Sequence, residues 1–83
     1  MELKDYANTL KELGQARTVM DFYKELAGEL GVHSSLVRMW AYKKARFTAE
    51  HVLPIERYTQ GAVHRTEMRP DLYPPEEYKK KAR

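Results

Sequence analysis

Apolar residues return along this chain at helical spacing. Leu3, Tyr6, Leu10 and Leu13 fall at i, i+3, i+7 and i+10, one stripe of an α-helix over 2–13. Gly14 follows and ends the stripe. Val19, Phe22, Tyr23, Leu26, Ala27 and Leu30 form a second stripe, which predicts a helix from about 17 to 30. Asp21 in its first turn suits the helix dipole, and Gly31 closes it. A third helix is predicted from His33 or Ser34 to Lys44. A serine hydroxyl there can accept an orphan backbone N–H, and Lys43 and Lys44 favour the last turn. Thr48 predicts the start of a fourth helix, 49–59, stopped by Gly61. Pro54 inside it removes a backbone hydrogen bond and crowds the preceding turn. A kink at 50–54, or a short turn and a new helix from Pro54, is therefore expected. Residues 62–73 are less regular, with one helical turn predicted at Thr66–Arg69 before Pro70.

No segment carries a convincing strand pattern, so the fold class is all-α, with four to five short helices. Pro74-Pro75 separates a domain over 1–73 from a charged tail over 74–83, which is expected to fray, with Tyr78 as its candidate anchor. The 83 residues leave room for one small core. A core of that size has little stability margin, which favours a homodimer or higher oligomer. Tyr58, Tyr73 and Tyr78 are the aromatic candidates for such a surface or for covering the core.

Composition narrows the chemistry. The chain has no Cys, which excludes disulfides, thiolate zinc sites and thiol catalysis. Charge interrupts every apolar run, so no membrane span is expected. The opening residues lack the layout of a signal peptide, which points to the cytoplasm. His33, His51 and His64 have no metal-ligand spacing, and no metal or other cofactor is expected. His33 is expected in a turn near a ligand and His51 on an exposed helix face. No catalytic triad, phosphate loop or paired carboxylates stand out, so the chain reads as a non-enzyme. The net charge is +3, divided as −2 over 1–30 and +5 over 31–83. That asymmetry suits a nucleic-acid partner, although Lys79–Lys81 reads first as a solvated tail.

Residues 23–42 fit a helix-turn-helix template. Ala27 is the small residue where two helices meet, Gly31 tolerates the tight turn, and Val32 plugs the elbow. Leu26, Leu30, Val37 and Trp40 point inward. On a wheel of 100° per residue, Ser35, Arg38 and Tyr42 face outward, with Met39 beside them and Ser34 at the N-terminal edge. That face carries no acid. It suits a recognition helix in the major groove, with Ser34, Ser35, Arg38, Met39 and Tyr42 against base edges. Arg38 can grip guanine O6 and N7, the serines can bond a base edge or phosphate, and Met39 can lie against a thymine methyl. Lys24, His33, Lys43, Lys44 and Arg46 are the candidates for the DNA backbone.

The segment Gly61-Ala62-Val63-His64-Arg65-Thr66-Glu67-Met68-Arg69-Pro70-Asp71, with Ile55-Glu56 before it, resembles the Cro/YdaS family. Members typically read Ile-Glu, then Gly-Ala-Val-Thr-Arg, two residues, and Leu-Arg-Pro-Asp. Leu3-Lys4-Asp5-Tyr6 and Leu30-Gly31-Val32, followed by Ser and Trp40, resemble the same family, so the likeness spans about 1–73. It implies a compact Cro-like helical regulator encoded on a phage or prophage. Some members act as Cro-type repressors, and others are known as antitoxins beside a toxin gene. They bind operator DNA through the recognition helix, usually as dimers, at positions matching Ser34, Ser35, Arg38 and Met39. This sequence departs from the pattern in three places. About five extra residues precede the second helix, so that Tyr23 stands where a phosphate-contacting Gln is usual. Pro54 replaces a small helix former, and His64 replaces Thr.

The sequence thus predicts a double-stranded-DNA-binding transcriptional regulator that blocks an operator as a dimer, on the nucleoid when bound. The alternative is an antitoxin or adapter whose main ligand is a partner protein such as a toxin. That alternative would not require an acid-free outer face.

Overall fold

The computed structural model describes residues 1–75. They form α1 (Leu3–Glu12), α2 (Val19–Leu30), α3 (Ser34–Ala41), α4 (Ala49–Tyr58) and α5 (Arg65–Met68). There is no strand among the described residues. Over the described residues the fold is all-α with five helices, within the four to five expected, and is consistent with a small helix-turn-helix domain. Tyr78 and the Lys79–Lys81 run, like the expected fraying of the tail, lie outside the described residues.

All five helices contribute to one core. Leu3, Ala7, Phe22, Tyr23, Leu26, Ala27, Val37, Trp40, Val52, Ile55, Val63 and Met68 are buried in it. Tyr58 and Tyr73 pack against it half-buried. Leu13 departs from its predicted stripe and is 65% exposed. Helix α1 stops at Glu12, and Gly14, at φ 75°, turns the chain away before Leu13 can reach the core.

The turn between α2 and α3 has a local cause. Thr18 opens α2 by accepting the Asp21 N–H on its hydroxyl at 3.1 Å. Gly31 closes it at φ 71°, and the Val32 N–H returns to the Ala27 carbonyl at 3.0 Å. A left-handed residue there costs glycine little and any residue with a Cβ about 1–2 kcal/mol. Helix α3 then opens on His33 rather than on a serine hydroxyl. Nδ1 of His33 accepts the Ser35 N–H at 3.1 Å and lies 2.9 Å from the Ser35 hydroxyl. His64 repeats this cap at α5, with the Thr66 N–H at 3.2 Å and the Thr66 hydroxyl at 2.8 Å.

Two predicted boundaries shift. Helix α3 ends at Ala41, not Lys44, because Lys43 adopts φ 59° and the Lys44 N–H folds back to the Met39 carbonyl at 2.8 Å. Helix α4 runs through Pro54 as one element, so no new helix begins there. Val52 and Ile55 flank the proline and are both fully buried, and that packing outweighs the lost hydrogen bond. His51 is not on an open face. It is half-buried, its ring centroid lies 5.7 Å from that of Trp40, and its Nδ1 is buried without a partner.

Two charged clasps tie the C-terminal part down. Glu56 accepts from Arg65 Nε at 2.8 Å, Arg65 Nη2 at 2.7 Å and the Arg65 backbone N–H at 2.9 Å. The Arg65 hydrogen bonds hold the Glu56 carboxyl down at about 2. Arg69 binds both Asp71 oxygens, at 2.9 and 2.7 Å, and also donates to the Phe47 carbonyl at 2.8 Å. Its hydrogen bonds hold Asp71 at about 2 as well.

Two outcomes follow from this architecture. Nothing lies within 4 Å of a Cβ placed on Gly31, so Gly31→Ala meets only the backbone penalty. It should lower unfolding free energy in urea by about 1–2 kcal/mol, and Gly31→Asn by less. Stabilisation from the Glu56 clasp is full above the ordinary carboxyl value of 4.5 and is lost as pH falls toward about 2. Glu56→Gln should therefore cost about 1–3 kcal/mol at neutral pH and flatten the acid limb of the stability curve.

Candidate nucleic-acid interface

Helix α3 is anchored by its inner side. Val37 and Trp40 are 0% and 1% exposed, and the Trp40 ring stacks on Phe47 with centroids 5.4 Å apart. With those two residues fixed, the helical rotation turns Ser35, Arg38, Met39 and Tyr42 to the outside. These four line one shallow depression of about 260 Å³ together with Lys44, which the short helix leaves just past its C-terminal end. Met39 and Tyr42 are 43% and 48% exposed. Ser34 is half-buried at the start of α3 and does not line the depression.

The expected backbone-contact residues fall into four situations. Lys44 joins the depression, and Lys24 is exposed on α2. His33 is committed to capping α3. Lys43 and Arg46 project from the loop after α3, both exposed, but each has a carboxylate at hand. The Lys43 ammonium pairs with Glu2, which raises the lysine pKa and lowers that of the glutamate. Arg46 lies 3.9 Å from Asp71. Tyr23, in the slot of the family's phosphate-contacting Gln, is fully buried, and burial raises its hydroxyl pKa. No external ligand can reach that position.

Electrostatically the site is one-sided. No Asp or Glu occurs between Glu29 and Glu50, while Arg38, Lys43, Lys44 and Arg46 all fall in that interval. Glu2 and Asp71 reach its edge only through tertiary contacts. The fold also brings in a residue that the sequence reading did not include. Lys4 of α1 holds its ammonium 5.4 Å from the centroid of the Tyr42 ring, a cation–π distance. The α1 stripe marks Lys4 as outward-facing, but nothing in the sequence says which neighbour it faces.

Among the described residues, no group of three or more His, Asp or Glu side chains is placed to hold a metal ion. No helix among them is long and apolar enough to cross a membrane.

Comparison with known proteins gives a family and a relative. The family model described as bacterial toxin YdaS matches residues 18–77. A prophage transcriptional regulatory protein of Escherichia coli (strain K12) is 42% identical over 52 residues, covering 60% of this chain and 76% of that protein. No solved structure matches the chain. The family match spans the α2–α3 pair, both clasps and the depression between them, and on that breadth the chain belongs to the YdaS family.

Proposed function

We propose that this protein is a transcriptional regulator of phage or prophage type that binds double-stranded DNA through the outer face of α3. The observation that carries this reading is the depression lined by Ser35, Arg38, Met39, Tyr42 and Lys44, on a stretch of chain without a carboxylate. The regulatory name of the E. coli relative supports it. In this reading α2 and α3 are a helix-turn-helix unit, with α3 in the major groove. Arg38 reads a guanine through two hydrogen bonds. Ser34 and Ser35 bond base edges or phosphate at the N-terminal end, and Met39 and Tyr42 supply apolar contact. Lys44, Lys43, Arg46, Lys24 and the turn at His33 follow the phosphates. Lys43 and Arg46 exchange a carboxylate for a phosphate on binding. The protein acts in the cytoplasm as a Cro-like repressor. A homodimer places two α3 helices in successive major grooves about 34 Å apart and excludes polymerase.

The family's description as a toxin favours a second reading, in which the main ligand is a partner protein. That description names a toxin, whereas the resemblance in sequence implied an antitoxin. Both roles are compatible with a protein that also represses its own operon.

The test is fluorescence anisotropy with a duplex from upstream of the protein's own gene and a scrambled duplex of equal length. The native duplex should bind more tightly, with affinity falling steeply as salt rises. Arg38→Ala should lose about 5- to 150-fold on the native duplex and little on the scrambled one, as expected for about 1–3 kcal/mol of base discrimination. Lys44→Ala should weaken both duplexes alike. Equal, weak binding to both duplexes by the wild-type protein would favour the protein-partner reading.

A further inference from the structure

We propose that the depression on α3 is a reader of a pyrimidine 5-methyl group, built from Met39 and Tyr42 and held in shape by Lys4. This rests on the DNA-binding reading above and names what part of the DNA the site takes. Met39 and Tyr42 are three residues apart, so they are neighbours on one helix face. Both are large, both are more than two-fifths exposed, and both line the same depression as Arg38. In the major groove the apolar group presented at a base edge is the methyl on C5 of thymine. The depression, open to solvent and about 260 Å³ in volume, has room for the methyl-bearing edge of a pyrimidine.

Tyr42 is the wall of this cup, and its position does not depend on α3 alone. It caps the C-terminus of the helix, with φ −96° and ψ 10°, and its side chain leans back toward Met39 on the preceding turn. The Lys4 ammonium 5.4 Å from the ring centroid supplies a contact from α1. Lys4 is thus a positioning residue: it keeps the ring beside Met39 rather than swung into solvent. The guanidinium of Arg38 lies next to the cup along the helix. The preference is thus paired, a guanine for Arg38 under the DNA-binding reading and a methylated pyrimidine within one or two base pairs of it. Thymine and 5-methylcytosine present the same methyl, and the experiment separates them.

The experiment uses the full chain. A preferred duplex is first selected from a random library. Each thymine is then replaced singly by deoxyuridine, which removes only the methyl, and each cytosine near the critical guanine is replaced by 5-methylcytosine. Deoxyuridine at one thymine per half-site should weaken binding about 3- to 10-fold, the scale of one buried methyl. In Met39→Ala that ratio should fall toward one. Lys4→Gln should shrink the ratio while the Arg38-dependent guanine preference survives, and Lys4→Arg should restore it. If cytosine methylation strengthens binding and deoxyuridine has no effect, the methyl comes from 5-methylcytosine. A selected duplex that binds tightly and tolerates every methyl change overturns this inference and leaves the DNA-binding reading standing. A methyl effect unchanged in Met39→Ala also overturns it. Failure of the library to yield any preferred duplex overturns the DNA-binding reading itself.

Discussion

The burial of Trp40 and Val37 sets the orientation of α3, and everything proposed for this protein depends on that orientation. Helix α3 has eight residues, too few to persist in water without packing. The Trp40 ring stacks on Phe47 from the following loop and also packs near His51 from α4. The side chain cannot leave that slot without uncovering an indole, a loss of a few kcal/mol on the scale of large core truncations. Holding it there fixes the helix about its axis, and the next side chains along the outer face follow from geometry. The cost is a buried indole N–H with no acceptor and a buried His51 Nδ1. Both lie where the α3 loop and α4 meet.

The residues that most specifically mark the family resemblance work behind this site and not in it. Arg69 of the Arg-Pro-Asp segment donates to the Phe47 carbonyl while clamping Asp71. Phe47 is the ring on which Trp40 stacks. The Ile-Glu pair contributes Ile55 to the core and Glu56 to the clasp on Arg65. Thr59 is buried nearby, donates to the Ile55 carbonyl and accepts the Val63 N–H, which closes the turn through Gly61. These contacts form a continuous support from α5 through the loop to α3. A motif can therefore mark a family because it holds a neighbouring helix in place.

Much of the helical order was legible because α1 and α2 carry stripes of apolar residues, α3 and α4 follow recognisable cap positions, and the turn at Gly31 has a residue suited to it. The outward residues of α3 followed from the same rotation. What escaped the sequence has identifiable causes. Lys43 takes a left-handed conformation with no glycine to announce it, so α3 ended three residues early. Pro54 promised a break that Val52 and Ile55 hold closed. His33 took the capping role expected of a serine hydroxyl, because its Nδ1 reaches the same N–H. The contacts of Lys4 with Tyr42, and of Glu2 with Lys43, join residues about forty positions apart. Local patterns carry no information about pairs of that kind.

The claim that α3 presents the ligand-binding surface is tested most directly by amide chemical-shift mapping. Isotope-labelled protein would be titrated with its preferred DNA duplex, and the shifted residues placed on the structure. The account predicts that shifts concentrate on residues 33–46 and on Lys4, with the far sides of α4 and α5 quiet. Shifts centred on α4 or α5, with residues 35–42 unmoved, would contradict it.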